Sequence, residues 1–362
     1  MNRNPEEDLM TRLITSMALL VGVTCLVALT TTTQLVAATN TLIMSGLNNP
    51  RGLALGPDGG IYVAEAGAGG ASRCVINAQN ESRCFGRTGA ISRFLNGVQQ
   101  RIVTGLPSHA LPSGDAGTGP HDIAFQGSGM FVVMGLGFNP SERSSSYGPG
   151  GELFGKLLQI SATGQMTEAG DVSAYERDVN PAGGPVDSNP FGLLALPTLR
   201  LVTDAGANAL LSVVPSGLVN TIAVFPSRPT RTTDAVPTAV AVGPDGAYYV
   251  GELSGVPFAT GAANVYRVVP GQAPQVFRSG FTTVTDIDFG PDGSLYVIEH
   301  STGPAFFALP GDLVMITPGG QRTVLVSNLN RPTSVLVASD GTVYYTNRGI
   351  TAGAGEVWKL TP

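Results

Sequence analysis

GPDGSLYVIEH, residues 290–300, decides the fold. A Pro-Asp-Gly turn runs straight into an aromatic and β-branched stretch, Leu295 to Ile298, that ends on the carboxylate of Glu299. The phrase returns as GPDGGIYVAEA from Gly56, as GPDGAYYVGEL from Gly243 and, more loosely, as ASDGTVYYTNR from Ala338. Glycine after Asp supplies the positive φ of a tight hairpin turn, while Tyr, Val and Ile favour a pleated strand. A chain that repeats this phrase is building one supersecondary unit several times.

Six copies can be aligned on the residue that opens their first strand. They start at Pro50, Pro120, Pro190, Pro237, Val284 and Pro332, which gives intervals of 70, 70, 47, 47 and 48 residues. The unit is thus about 47 residues long, and the first two copies each carry roughly 23 more. Within a copy, a short apolar strand a meets the Asp-Gly turn and strand b follows. Strand c reads GAISRFL (89–95), GKLLQIS (155–161), ANVYRVV (263–269), GDLVMIT (311–317) or GEVWKLT (355–361). Strand d reads QRIVTGL (100–106), TIAVF (221–225), PQVFRSGF (274–281) or RTVLVSNL (322–329). Four antiparallel strands per 40–50 residues describe a β-propeller blade, so the expected fold is an all-β, six-bladed β-propeller. The sixth copy stops after strand c, and TLIMSGL (41–47) is an orphan strand of the d type. The last blade should therefore be closed by the N-terminal strand, leaving no unpaired edge.

Composition agrees with short strands and many turns. Among 362 residues there are 48 glycines and 26 prolines, and only 13% are charged. A net charge of −6, with Lys156 and Lys359 the only lysines, argues against a nucleic-acid partner. Residues 1–38 read as a signal peptide. The apolar run Ile14 to Leu29 is shorter than the roughly 20 residues of a comfortable membrane span, and LVAA (35–38) suits cleavage near Ala38. GVTC, ending at Cys25, lacks the Leu and small residues that precede a lipidated cysteine. The expectation is a secreted or periplasmic protein with no membrane span after cleavage and a single propeller domain over 39–362. The remaining cysteines, Cys74 and Cys84, lie ten positions apart in a Gly-rich loop and read as a disulfide.

The long segments gather on one rim. The b–c loops 66–88 and 135–154 and the d–a connections 107–120, 171–190 and 226–237 all fall on the rim opposite the Asp-Gly turns. Loops carry a closure cost and persist where they have a role, so this rim is the candidate interaction surface for a small molecule, glycan or protein. Strand b also ends there, on Glu65, Met134, Asp204, Glu252, Glu299 and Asn347. Such a ring of oxygens would suit Ca²⁺, or would fasten neighbouring blades by accepting backbone N–H bonds. Strand a begins with Arg51, His121, Asp122, Phe191 and Asp286 at the expected channel mouth. His121-Asp122 is the weak catalytic candidate, a histidine beside a carboxylate that could act as general base or could be a satisfied blade-to-blade contact. His109 reads as a solvated loop residue, and His300 enters a rim loop. Asp58, Asp245, Asp292 and Asp340 occupy turn positions and read as structural. No zinc-helix motif, nucleophile elbow, P-loop or dinucleotide fingerprint is present.

The repeat phrase is similar to NHL-type propellers. GLNNPRGLALGPDGGIYVAEAG, TGPHDIAF, NPAGGPVDSNPFGLLAL and VPTAVAVGPDGAYYVGELSG resemble the ScyD/ScyE family of exported bacterial propellers, over nearly the whole chain from residue 39. That resemblance implies the fold, export and the paired cysteines of the first blade. It brings no reaction, catalytic set or cofactor, so none is firmly implied. Two functional expectations follow. One is a non-catalytic binding or scaffold protein that uses its loop-rich rim. The alternative is a metal-dependent hydrolase or lyase of the propeller lactonase type with an axial site.

Overall fold

The computed structural model describes residues 39–361 apart from 78–79, 162, 227–232 and 305–308. The expected signal peptide lies outside the described residues. Six antiparallel sheets make up the described chain, each beginning at one of the aligned repeats. Blade 5 shows the plan: strand a is Val284–Phe289, b is Leu295–Glu299, c is Gly311–Ile316 and d is Arg322–Leu329. Gly293 closes its a–b turn at φ +79°, and Asp292 accepts hydrogen bonds from the Ser294 N–H (2.9 Å) and Oγ (2.8 Å). Asp58, Asp245 and Asp340 cap the corresponding turns, as their positions predict. Two strands that the repeats leave unassigned are also formed: Met166–Asp171 as strand d of blade 2, and Ala209–Val213 as strand c of blade 3.

Ring closure follows the expectation. Thr39–Leu47 pairs antiparallel with Gly355–Thr361, with Thr41 opposite Lys359 and Leu42 opposite Trp358. The last blade thus takes its outermost strand from the start of the described chain and its other three from the end. Each interface between successive blades holds its own hydrophobic core. Alternation along one strand shows why. In blade 1, Ile61 and Val63 face blade 6, packing on Met44, Leu47 and Val357, while Tyr62 and Ala64 face blade 2 and meet Ile123 and Val132. Successive side chains leave a strand on opposite faces. Because both faces of every blade are covered, strand b is apolar along nearly its whole length.

One segment expected as a loop folds as a β-hairpin. Residues 66–88 contain the strand Ser72–Ile76, which pairs with the first half of an unusually long strand c, Ser82–Leu95. Cys74 stands directly opposite Cys84 in this hairpin and the two form the disulfide. Strand d of blade 1, Val98–Ala110, lengthens to match and pairs with strand c as far as Cys84. The extension raises a three-stranded flap above the loop-rich rim. A disulfide suits an oxidising compartment, and no described helix is long and apolar enough to cross a membrane.

Closure can be weighed directly. Leu47 is fully buried at the seam between the last and first blades. Leu47→Ala should cost about 2–4 kcal/mol, read as a lower urea midpoint with an unchanged slope. Removing residues 39–47 should abolish the single cooperative transition, since blade 6 then loses a whole strand.

Candidate functional site

Strand a lines the axis in every blade. Its second residue repeatedly fastens one blade to the next. Thr238 Oγ1 donates to the Val284 carbonyl (2.8 Å), Thr285 Oγ1 to Pro332 (3.4 Å) and Thr333 Oγ1 to Pro50 (2.8 Å). His121 holds this position in blade 2, and its Nδ1 lies 3.0 Å from the Pro190 carbonyl. A carbonyl only accepts, so the proton sits on Nδ1 and the ring does what a threonine hydroxyl does elsewhere. Burial drives the His121 pKa down to about 3, so the ring is neutral at physiological pH. Arg51, the blade 1 counterpart, donates to the carbonyls of Gly349 and Gly117, both at 2.6 Å. His300 is likewise buried, with Nδ1 at 2.9 Å from the Pro332 carbonyl.

The third residue of strand a forms a second set of ties. Asp122 accepts from its neighbour Ile123 (2.8 Å) and, across the seam, from Leu193 N–H (2.7 Å). Gly52 opposite must be glycine, because a Cβ there would fall 1.8 Å from Asp122 Oδ1. Asp286 accepts from Ile287 (2.9 Å), Val335 (3.0 Å) and Ser334 Oγ (2.5 Å). Asp288, two residues on, accepts from Phe289 (2.8 Å) and Val337 (2.7 Å). These three carboxylates line an axial cavity of about 290 Å³ whose remaining walls are apolar strand a residues. Burial, the largest cause, lifts the Asp286 pKa to about 7 and that of Asp288 to about 6; for Asp122 burial and the Asp286 charge both raise it. His121 and Asp122 are adjacent in sequence, yet each directs its hydrogen bonds to a different backbone partner. Phe191 packs its ring at 4.8 Å from that of His121.

The residues that end strand b lie one strand out from the axis. Glu65 is fully buried and accepts from Asn48 N–H (2.7 Å), Ser92 Oγ (2.6 Å) and both Arg101 Nε (2.9 Å) and Nη2 (2.7 Å). Asp204 accepts from Asn189 N–H (2.7 Å) and Ser188 Oγ (2.6 Å), Glu299 from Thr282 N–H and Arg322 (both 2.6 Å), and Asn347 from Asn330 N–H (2.7 Å). Glu252 accepts from Asn264 Nδ2 at 2.6 Å. In four blades the recipient oxygen thus ties down the N–H one or two residues before strand a, where the chain arrives from the preceding blade. The set does not fit a shared Ca²⁺, because these oxygens are turned to separate protein donors. Among the described residues no three His, Cys, Asp or Glu side chains converge as metal ligands.

The loop-rich rim contains a different kind of site. A cavity of about 480 Å³ opens between the disulfide flap, the blade 1–2 crossover, the blade 2 b–c loop and the blade 2–3 crossover. The b–c loop folds into short helical turns, Pro140–Glu142, Arg143–Tyr147 and Gly148–Leu153. Arg143 anchors it. Buried, it forms a two-pronged pair with Asp171 (3.0 and 2.9 Å) and also bonds the Phe154 carbonyl and Ser173 Oγ, both at 3.0 Å. Asp171 in turn caps the helix Val172–Val179 of the crossover through Ala174 N–H. Beneath the cavity, Leu136, Tyr147 and Phe154 form a small apolar cluster with Val75, Phe85 and Phe138 packed on it. His109, which reads in sequence as a solvated loop residue, is buried instead, its ring stacked 5.0 Å from Tyr147. Polar groups from Asn77, Arg83, Asn139, Glu142 and Asp187 reach the walls. Sequence reasoning does not single out these lining residues. The aromatic content of the 135–154 insertion is the available signal, but single residues in a rim loop carry no periodicity.

No family model matches the chain, and no curated protein matches its sequence. Solved structures do. Virginiamycin B lyase of Staphylococcus aureus is 14% identical over 90% of this chain and 99% of its own, with a TM-score of 0.51. A gluconolactonase of Xanthomonas campestris is 11% identical over 89% of both chains, at 0.54. The calcium-binding protein regucalcin of Agrobacterium tumefaciens is 13% identical over 89% of this chain and 93% of its own, at 0.53. At such identities the likeness establishes the six-bladed propeller and nothing about chemistry.

Two measurements check the site assignments. Glu299→Ala should cost about 1–3 kcal/mol by leaving the Thr282 N–H and Arg322 without their acceptor, whereas Glu299→Gln, which keeps one acceptor as Asn347 does, should cost less. Asp286 should give a pH signature. Its carboxyl has an ordinary value of 3.8 and titrates at about 7 when folded, so the ionised form is penalised above pH 7 and the penalty fades as pH falls toward 4. Asp286→Asn removes that gain, so the stability of wild type should rise relative to the variant from pH 8 to pH 5 in urea titrations. The buried histidines weaken both proteins in acid and cancel in the difference, whereas Asp122, whose carboxyl the Asp286 charge raises, titrates lower in the variant and contributes to it.

Proposed function

We propose that this protein is an exported, non-catalytic propeller of the ScyD/ScyE type, secreted or periplasmic, that binds a small polar ligand on its loop-rich rim. The rim cavity carries this reading. Four segments outside the repeat plan, drawn from three successive blades, meet there around about 480 Å³ of space, within the range of small-ligand sites. The segments are braced by a disulfide and by the Arg143–Asp171 pair, neither of which the repeated fold requires. The catalytic candidates His121 and Asp122 bond across the blade seams instead.

A second reading has one observation in its favour. Asp122, Asp286 and Asp288 share the axial cavity, and a carboxyl titrating near 7 suits acid–base work on a lactone or ester. Esterase, lactonase and lyase panels on the purified protein, with and without Ca²⁺, separate the two. Binding on the rim predicts no turnover with any substrate, no Ca²⁺-dependent rise in melting temperature, and saturable binding that persists in Asp286→Asn. Shortening the loop 135–154 should eliminate that binding while the propeller still melts cooperatively. Turnover abolished by Asp286→Asn in a folded protein would replace the rim reading with the axial one.

A further inference from the structure

The rim cavity is lined by a histidine with one nitrogen left unanswered. His109 is 5% exposed. Its Nε2 lies 3.1 Å from the Leu136 carbonyl. Since the carbonyl must accept, Nε2 carries the proton and Nδ1 presents a lone pair. That Nδ1 is buried and has no hydrogen-bond partner among the described residues. The ring cannot easily turn away. Its backbone exchanges both hydrogen bonds with Thr118 (2.9 and 2.8 Å), Tyr147 stacks on one face, and Phe154 meets it edge-on at 5.2 Å. Burial keeps its pKa at about 4, so this acceptor persists across the neutral range.

The chemistry around His109 is mixed in a telling way. Arg83 lies in the wall but is already paired with Glu81 (2.8 Å) and donates to the Ala116 carbonyl (2.6 Å). Glu142 and Asp187 contribute carboxyl groups, Asn77 and Asn139 are amides, and half-buried Phe138 forms an apolar wall. An anionic ligand would face the two carboxyl groups with the guanidinium already engaged by Glu81. A neutral ring bearing several hydroxyls can donate to the carboxyl groups and to His109 Nδ1 and can lay its C–H face on Phe138. We infer that the cavity is a saccharide site in which one sugar hydroxyl donates to His109 Nδ1. This rests on the rim cavity being the ligand site proposed above.

The test titrates the full chain with glucose, galactose, mannose, N-acetylglucosamine and their disaccharides, followed by saturation-transfer NMR and calorimetry. A library of non-sugar fragments runs in parallel. The expected result is saturable binding of at least one neutral sugar, weakened about tenfold or more in His109→Phe, which keeps the stacking and removes the acceptor. Should His109→Phe fail to fold, Asn139→Ala and Glu142→Gln at the more open side of the cavity should each weaken binding severalfold. Fragments that occupy the cavity while no sugar binds would overturn the saccharide inference and leave the rim reading standing. A cavity that takes neither would overturn both. Undiminished sugar binding in every variant would overturn the placement at His109.

Discussion

A closed ring of sheets depends on its seam. Five of the six blades are continuous in sequence, so local hairpin contacts alone can assemble them; the sixth exists only when residues 39–47 reach the strand Gly355–Thr361. The pairing across that seam does more than complete one sheet. It carries Met44 and Leu47 against Val357 on one side and Leu53, Ile61 and Val63 of blade 1 on the other. Without it, two apolar blade faces would stand in water and strand c of the last blade would be an open edge. The seam also converts the axial ties into a complete circuit, because Thr333 of blade 6 bonds the Pro50 carbonyl of blade 1 and Ser334 accepts from Leu53.

Those axial ties explain an apparent oddity of composition. Innermost strands of neighbouring blades are too splayed to pair as a sheet, so their backbone groups need side-chain partners. Threonine hydroxyls, one histidine, serine and aspartate fill that need at equivalent positions. Their polarity follows from the geometry of the axis, and the same demand accounts for the carboxylates at the end of strand b. A polar residue that recurs at one register position in several blades is then first a structural tie. His121 illustrates the difference between position and chemistry: beside Asp122 it looks like half of a catalytic pair, yet it performs the work of Thr238, Thr285 and Thr333.

This is also where sequence legibility divides. The repeat phrase, the Asp-Gly turns and the interval of about 47 residues are local and periodic, so blade number, strand order and the closing strand are legible in the sequence alone. The disulfide is legible as well, since both cysteines lie within one insertion. What escapes a sequence reading depends on contacts between segments distant along the chain. His109 belongs to a strand that lengthens only because the cysteine hairpin beside it does, and its burial comes from Tyr147 and Phe154 in the next blade's insertion. The strand b carboxylates fall on the expected rim, but whether their oxygens turn toward the axis or toward Asn48, Asn189 and Thr282 depends on how the crossovers fold.

The distribution of extra residues gives the molecule its polarity. Repetition constrains the Asp-Gly rim, where each turn is minimal and, in the four blades that have one, the turn aspartate is committed to local N–H groups. Insertions at blades 1 and 2 both leave from b–c connections, so they rise side by side on the other rim, and residues of the crossovers after both blades meet them around one cavity. Two adjacent insertions and two crossovers can enclose a cavity where any one of them would give only a loose flap. Bracing then follows from burial: Arg143 is taken from water, so it needs the full set of acceptors that Asp171, Ser173 and Phe154 supply. The pocket is therefore an addition to the repeat plan and no part of the closure, since the ring is sealed by the pairing of the first and last strands without these insertions.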